Sequence, residues 1–121
     1  MTGNALQHLA DVEEISIGFL RPDGSTGSTL VWVVQVGDNI FVRSVRGPKG
    51  GWYRRLRANP DGEVRDGGHL HPVRAEPVAD ARTLAEVTRA YATKYSGSPF
   101  VQPLLEERTA GATLRLDGRT R

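Results

Sequence analysis

The chain has 121 residues, enough for one domain with its own core, and its apolar and charged fractions, 38% and 25%, are ordinary for a globular protein. It contains no cysteine, which excludes disulfides, thiolate catalysis and cysteine-ligated metals. The sequence shows neither an apolar run of about 18 residues nor a basic N-terminus followed by an apolar segment. We therefore expect a cytoplasmic protein that does not cross a membrane, with a single domain over residues 1–121.

The N-terminal part predicts a short helix and then a strand. Residues 4–10 are expected to form the helix, with Asn4 as its cap. Residues 13–20 alternate between apolar and polar or small side chains, which is typical of a half-buried strand. An Arg-Pro-Asp-Gly sequence at 21–24 predicts a turn, and the Ser/Thr/Gly-rich stretch at 25–29 predicts a flexible connection.

The next two predicted strands form a hairpin around Gly-Asp-Asn at 37–39. The first strand, 30–36, is apolar on both faces, which is typical of a barrel wall covered on the outside by a helix or a partner subunit. The second, 40–46, places Arg43 between apolar neighbours on one face.

The rest of the chain alternates helices and strands. Residues 52–58 predict one or two helical turns, and a hairpin around Asp66-Gly67-Gly68 follows. A clear helix is predicted from Asp80 to about Tyr95, then a short helical piece over 100–107 and a last strand over 111–116. About six strands joined mostly by hairpins indicate a small antiparallel barrel with helices outside it.

Charge is concentrated in one segment of this pattern. Residues 39–60 carry six cations and no carboxylate, whereas the other ten cations of the sixteen face all fourteen acids. The six are Arg43, Arg46, Lys49, Arg54, Arg55 and Arg57. Such segregation indicates a site for a phosphate or carboxylate, which the Arg43 guanidinium, the Ser44 hydroxyl and the backbone N–H groups of Gly50 and Gly51 can bind. In the alternative interpretation Arg43 pairs with a carboxylate across the barrel and the loop cations are solvated.

Two histidines are the main candidates for a metal site. His69 and His71 are two residues apart, so on a strand they point to the same side. No third ligand is recognisable beside them, and His8 has no partner in the sequence. We therefore predict no metal site.

The order of these motifs resembles that of the FMN-binding split-barrel superfamily. This superfamily includes proteins similar to pyridoxamine phosphate oxidase and proteins similar to deazaflavin-dependent nitroreductases. The resemblance rests on the strand 30–36, the Ile-Phe-Val-Arg-Ser strand at 40–44, the glycine-rich loop ending in Trp52, and Ala-Asn-Pro-Asp-Gly-Glu-Val at 58–64. The chain is also similar to a narrower family of small uncharacterised bacterial proteins. That likeness is carried by Trp-Tyr-Arg at 52–54, Ala-Tyr-x-x-Lys-Tyr at 90–95 and Ala-Thr-Leu-Arg-Leu at 112–116.

The resemblance implies an α+β fold, mainly β: a six-stranded antiparallel split β-barrel with flanking helices. It also implies a homodimer that holds FMN or a deazaflavin coenzyme at its interface. The cofactor-binding positions that it implies are Arg43, Ser44, Lys49, Gly50, Gly51, Trp52, Tyr53 and Arg54. The deazaflavin branch usually has Asn-Leu after the tryptophan, where this chain has Tyr-Arg-Arg-Leu. This departure counts against a deazaflavin specifically, and the sequence alone does not choose between the two cofactors.

Two functions follow as hypotheses. One is a flavin- or deazaflavin-dependent oxidoreductase acting on a small molecule, in which Trp52 and Tyr53 either pack on the flavin ring or belong to the core. The other is a cofactor-free ligand-binding or accessory protein on the same barrel. The sequence identifies no catalytic residue. We do not expect nucleic-acid binding, because six cations with compensating acids elsewhere are few for that role.

Overall fold

The computed structural model describes residues 6–118, whose six strands form one closed antiparallel barrel. The strands are β1 (Glu14–Leu20), β2 (Thr26–Val36), β3 (Asn39–Arg43), β4 (Asp61–Asp66), β5 (His69–Pro77) and β6 (Thr113–Gly118). Around the barrel they follow the order β1-β2-β3-β6-β5-β4. The predicted six-stranded antiparallel barrel is therefore confirmed.

Three helices lie against this barrel: α1 (Gly51–Ala58), α2 (Ala81–Lys94) and α3 (Glu107–Ala110). Helix α2 begins where predicted, because the Asp80 carboxylate accepts a hydrogen bond from the Thr83 backbone N–H at 2.9 Å. Short 3₁₀ turns cover Gln7–Asp11, Gly47–Lys49 and Gln102–Leu105. Within residues 6–118, no helix is long and apolar enough to cross a membrane.

Three local predictions differ from the structure. The connection predicted at 25–29 is part of β2, because Thr26 already pairs with Leu20 and the Ser/Thr residues suit an extended backbone. The N-terminal helix is a 3₁₀ turn over Gln7–Asp11, and the predicted cap Asn4 lies outside the described residues. Strand β3 also stops at Arg43, since the Ser44 carbonyl accepts from the Gly47 N–H in a turn.

The barrel wall separates two apolar clusters. Val33 and Val42 belong to the cluster inside the barrel, whereas Val34 and Phe41 pack outside it against Tyr91 of α2. The outer cluster covers only the second half of β2. The first half of β2 and the facing strand β1 expose alternate residues, and we call this surface the β1–β2 outer face. It consists of Ser16, Gly18, Leu20, Thr26, Ser28 and Leu30.

Candidate functional site

A cavity of about 210 Å³ lies at the end of the β1–β2 outer face, next to the beginning of α1. We call it the Trp cavity, because both tryptophans of the chain line it. Its main lining residues are Leu30, Trp32, Arg43, Val45, Trp52 and Phe100. Glu14 also lines it. Aromatic and aliphatic walls with a few polar groups are typical of sites for flat organic ligands.

The apolar walls of the Trp cavity are unusually open to solvent. Phe100 is 74% exposed, Leu30 63% and Val45 47%. Among the described residues, the other large exposed apolar side chains are Leu20 and Leu70, and both line a second cavity of about 460 Å³ on the same side of the barrel. A cluster of exposed large apolar side chains marks a surface that binds a ligand or another protein.

Arg43 lies behind the Trp cavity and is 2% exposed. Its Nε donates to Thr113 Oγ1 at 2.7 Å. Its Nη1 donates to Thr88 Oγ1 at 2.7 Å and to the Leu104 carbonyl at 2.9 Å, and its Nη2 donates to the Leu84 carbonyl at 3.1 Å. Four of the five N–H groups of this guanidinium are therefore used within the chain.

This bonding changes both interpretations of Arg43. A single free N–H cannot make the bidentate contact with a phosphate that the sequence suggested. The ion pair of the alternative interpretation is not formed, because all four acceptors are neutral. Burial lowers the pKa of Arg43, and the Tyr91 ring lies 5.8 Å from the guanidinium carbon. A guanidinium still charged at neutral pH gives the wall of the Trp cavity a positive potential, which favours an anionic or electron-rich ligand.

Ser44 and Gly50 meet where the loop enters α1. Ser44 is 1% exposed, and its buried hydroxyl has no hydrogen-bond partner in the structure. A Cβ at Gly50 would overlap the Ser44 Oγ, so glycine is needed for this close approach. A buried hydroxyl without a partner is rare and indicates a group that is satisfied by a ligand or water.

The beginning of α1 adds backbone donors to the Ser44 hydroxyl. Gly50 is the N-cap residue of the helix and has no side chain that could accept a capping hydrogen bond. The first hydrogen bond of the helix runs from the Arg54 N–H to the Gly50 carbonyl. The N–H groups of Gly51, Trp52 and Tyr53 therefore have no acceptor within the helix. Unpaired N–H groups at a helix N-terminus favour a negative group nearby.

Lys49 and Arg54 are exposed on either side of this helix start. Among the described residues, none of the six cations between 39 and 60 forms an ion pair with a carboxylate. The structure of the single chain therefore agrees with the interpretation in which the loop cations are solvated. Because Lys49 and Arg54 have no carboxylate partner, both are available to bind an anion.

Trp52 and Tyr53 have different environments. Trp52 is half-buried, packs partly against the interior cluster and borders the Trp cavity. Tyr53 is 5% exposed, and its hydroxyl donates to the Gly111 carbonyl at 3.2 Å and accepts from Arg57 at 3.1 Å. The Tyr53 ring is thus a core group that cannot lie flat on a ligand.

Of the six main lining residues of the Trp cavity, four were not identified from the sequence: Leu30, Trp32, Val45 and Phe100. The apolar character of both faces of the 30–36 segment was the signal for the first two. Phe100 comes from the segment before the 3₁₀ turn Gln102–Leu105, and no periodicity connects it with β2.

The sequence matches the model of a bacterial family described as "Uncharacterized protein conserved in bacteria (DUF2255)" over residues 5–116. The chain belongs to the DUF2255 family. No curated protein matches the sequence of this DUF2255 protein.

Solved structures show the fold of this DUF2255 protein in several other proteins. Campylobacter jejuni ChuZ is 9% identical with a TM-score of 0.74, and the match covers 94% of this chain and 51% of ChuZ. Vibrio cholerae HutZ, described as a heme storage protein, is 13% identical with a TM-score of 0.64 and coverage of 96% and 89%. An F420-H2-dependent reductase, FDR-A, is 15% identical with a TM-score of 0.64 and coverage of 88% and 94%.

These likenesses establish the architecture of the DUF2255 chain. It has the split-barrel fold that its motifs predicted, and it spans about half the length of ChuZ. The same fold occurs in a reductase and in a heme storage protein, so the fold alone does not choose a ligand.

Proposed function

We propose that this protein is a homodimeric oxidoreductase that binds FMN or a deazaflavin coenzyme, with the ring of the cofactor in the Trp cavity and its phosphate at the beginning of α1. The observation that carries the proposal is the position of the Trp cavity. An open apolar cavity lined by Trp32 and Trp52 adjoins a helix start that has free N–H groups and an unpartnered Ser44 hydroxyl.

The division of labour between these groups follows from their chemistry. A flavin-type ring is flat and largely apolar, which suits Trp32 and Trp52. A phosphate suits the backbone N–H groups of α1 together with Lys49 and Arg54. The buried charge of Arg43 lies behind the ring site and favours electron density there. The cofactor would carry the redox chemistry, and the described residues would bind and orient it.

The size of the Trp cavity supports a dimer. A volume of about 210 Å³ is smaller than the roughly 300–1,000 Å³ of typical ligand sites, so one chain does not enclose a flavin. A second copy placed on the β1–β2 outer face would cover Leu30 and close the cavity from outside. Gly18 has no side chain and its pairing partner Ser28 has a small one, so another chain can approach this face closely.

The test is a titration of the apo protein with FMN, riboflavin and the deazaflavin coenzyme F420, read by tryptophan fluorescence. Both tryptophans line the Trp cavity, so binding there should quench nearly all of the emission. We expect one FMN or F420 per chain, and riboflavin should bind more weakly because it lacks the phosphate. Measuring the quenching of the remaining tryptophan in the Trp32→Phe variant and in the Trp52→Phe variant assigns the fluorescence signal to each side of the cavity.

Charge variants separate the phosphate site from the ring site. Lys49→Ala and Arg54→Ala should weaken FMN binding and leave riboflavin binding unchanged. Arg89→Ala removes an exposed cation from α2 and is the matched control. The redox proposal is abandoned if millimolar flavin neither quenches the fluorescence nor raises the melting temperature, since binding with a Kd tenfold below the ligand concentration stabilises by about 1.4 kcal/mol.

A second candidate function is a ligand-binding protein without a redox cofactor. The small volume of the Trp cavity favours this candidate if the protein is a monomer, because a compact organic anion fits where a flavin does not. Binding of small aromatic carboxylates together with no response to flavins would support it.

A further inference from the structure

The Ala-Tyr-x-x-Lys-Tyr segment at the end of α2 directs all three of its long side chains to strand β2. The Tyr91 hydroxyl donates to the Trp32 carbonyl at 2.8 Å. The Tyr95 hydroxyl accepts from the Val33 N–H at 3.1 Å, and the Lys94 ammonium donates to the Val33 carbonyl at 2.6 Å. We call Tyr91, Lys94 and Tyr95 the α2 clamp.

The α2 clamp bonds the backbone at the point where the pairing of β1 with β2 ends. The last pair of these strands is Glu14 with Trp32, so β1 does not reach Val33. The clamp bonds the N–H and the carbonyl of Val33 there. Two further hydrogen bonds of 2.6 Å each join the clamp to the segment before β1, from Lys94 to the Val12 carbonyl and from Tyr95 to the Glu13 carbonyl.

The same helix end orients the side chain of Trp32. The ring centroids of Trp32 and Tyr95 are 4.2 Å apart, and their planes differ by only 5°. Tyr95 lies in turn 5.9 Å from the ring of Tyr91, which is fully buried. Burial raises the pKa of Tyr95 to about 12, so its hydroxyl keeps its proton at neutral pH. Because stacked aromatic rings attract each other, this arrangement holds the Trp32 indole in one orientation.

Trp32 connects the α2 clamp with the Trp cavity. Trp32 lines the cavity, whereas Tyr91, Lys94 and Tyr95 do not. Since Tyr95 covers one face of the indole, Trp32 presents its other face or its edge to the cavity. A side chain that is already ordered in the free protein loses little conformational entropy when a ligand packs against it.

We propose that the three residues of the α2 clamp are positioning residues for a ring ligand, because they hold Trp32 as a preformed wall of the Trp cavity. The ligand class is a flat aromatic ring, which packs against the indole. The inference rests on the proposed function in that it places the ring of the ligand in the Trp cavity. The clamp thus strengthens binding without touching the ligand.

The experiment uses the Trp52→Phe protein as its background, because Trp32 is then the only tryptophan. Time-resolved fluorescence anisotropy measures the mobility of Trp32 without a ligand, and titration with riboflavin measures the ring site without a phosphate. In this background Tyr95→Leu removes the stacked ring. We expect a more mobile Trp32 and riboflavin binding that is weaker by about three- to tenfold, the worth of one aromatic pair. FMN binding should weaken by the same factor, since the phosphate site is unchanged.

Three further variants separate positioning from a general loss of stability. Tyr95→Phe keeps the stacked ring, so it should keep Trp32 immobile and recover most of the riboflavin binding. Lys94→Met removes two backbone hydrogen bonds but leaves the stack, and it should have a smaller effect in the same direction as Tyr95→Leu. Val87→Ala is the control for lost packing, because Val87 is fully buried in the same outer cluster on α2. It should bind riboflavin as the background protein does, and the melting temperature shows whether each variant is folded.

The inference is overturned if Trp32 is as immobile in Tyr95→Leu as in the background protein, or if Val87→Ala weakens riboflavin binding as much as Tyr95→Leu does. Failure of the proposed function gives a different result, in which Tyr95→Leu makes Trp32 mobile but neither riboflavin nor FMN binds. Naphthoate, a smaller flat aromatic carboxylate, then decides. Naphthoate binding that depends on Tyr95 supports the inference, and no naphthoate binding overturns it together with the proposed function.

Discussion

At Gly50 the backbone of the loop passes so close to the Ser44 side chain that no Cβ fits between them. Replacing Gly50 with alanine places a Cβ on the Ser44 hydroxyl, and the Gly47 carbonyl lies 3.3 Å from the same position. We expect Gly50→Ala to destabilise the protein by about 1–3 kcal/mol, the usual cost of overpacking. Urea unfolding followed by circular dichroism measures this difference.

A second substitution, at Ser44, should relieve the overlap that Gly50→Ala creates. Ser44→Gly removes the hydroxyl, so the combination of Ser44→Gly with Gly50→Ala should cost less than the sum of the two single changes. Additive costs in this double-mutant cycle would show that Gly50 is needed for its backbone conformation and not for the contact with Ser44.

Arg43 is predicted to contribute strongly to the stability of the fold, because one side chain bonds several distant elements. Arg43→Ala removes four hydrogen bonds and leaves the buried Leu104 carbonyl without this donor. We expect a loss of about 3 kcal/mol or more in the free energy of unfolding, because hydrogen bonds to a charged group are each worth about 1.5–3 kcal/mol. The measurement is chemical denaturation, with Arg89→Ala as a control at an exposed cation.

Arg43→Lys sharpens this prediction. Lysine keeps the charge but cannot reproduce the fork that reaches Thr113 and Leu84 at once, so it should recover only part of the lost stability. An Arg43→Ala protein with wild-type stability and weaker FMN binding would instead identify Arg43 as a cofactor ligand.

Residue-level prediction from the sequence was partly successful for Arg43. Alternation along the strand correctly placed it between apolar neighbours and on the face opposite Val42. Its partners were out of reach, because they come from α2, the 3₁₀ turn after Phe100 and β6, between 41 and 70 positions away. Sequence periodicity describes one element at a time and carries no information on contacts between distant elements.

Helix α2 makes the fold sensitive to acid at its first turn. The hydrogen bonds from the Thr83 hydroxyl and backbone N–H lower the pKa of Asp80 below its usual value of 3.8. The stabilisation by this carboxylate is therefore complete above the unfolded-state pKa and is lost as the pH falls through the lower folded-state pKa. We expect the difference in melting temperature between wild type and Asp80→Ala to shrink as the pH is lowered from about 6 to about 2.

Asp80→Asn serves as the control for this pH dependence. Asparagine accepts the same hydrogen bonds without a charge to titrate, so the advantage of Asp80→Asn over Asp80→Ala should stay nearly constant with pH. An advantage of wild type over Asp80→Ala that did not change between these pH values would contradict the prediction.

At the scale of elements, the sequence predicted helices better than strand limits. The helix predicted from Asp80 to about Tyr95 matches α2 closely, because capping is a local signal. Strand β5 contains Pro72 and nevertheless lies between β4 and β6. The proline is tolerated because β6 pairs with β5 only from Val73 onward, so no partner on that side needs the missing N–H.

The whole molecule is predicted to associate through the β1–β2 outer face. Leu30 is 63% exposed on this face and lines the Trp cavity, and a lysine there would place a charge in the proposed interface. We expect the wild-type protein to be a dimer and Leu30→Lys to be a folded monomer, as measured by light scattering. Ala85→Lys, on the exposed side of α2, introduces the same charge elsewhere and should remain dimeric.

The outcome for Leu30→Lys also bears on the cofactor. If the second copy completes the ligand site, the monomeric variant should lose FMN binding along with dimerisation. A wild-type protein that is monomeric at micromolar concentration would remove the interface, and with it the shared cofactor site.

The candidate sites illustrate what the sequence alone cannot predict. The charged segment 39–60 directed attention to the beginning of α1, because charge segregation is visible in one dimension. The packing of His8 against His71 depends on a turn and a hairpin 58 or more positions apart. Such contacts are made by the tertiary fold, so sequence spacing did not reveal them.

The strand order places β6 between β3 and β5. A chain being made from its N-terminus can pair β1 with β2, β2 with β3, β1 with β4 and β4 with β5 as each strand emerges. It cannot join β3 to β5 before residues 113–118 have left the ribosome. Until then both strands keep an open edge, the kind of edge that pairs with other chains. Slow translation should therefore prolong an aggregation-prone state of this barrel rather than help it to fold.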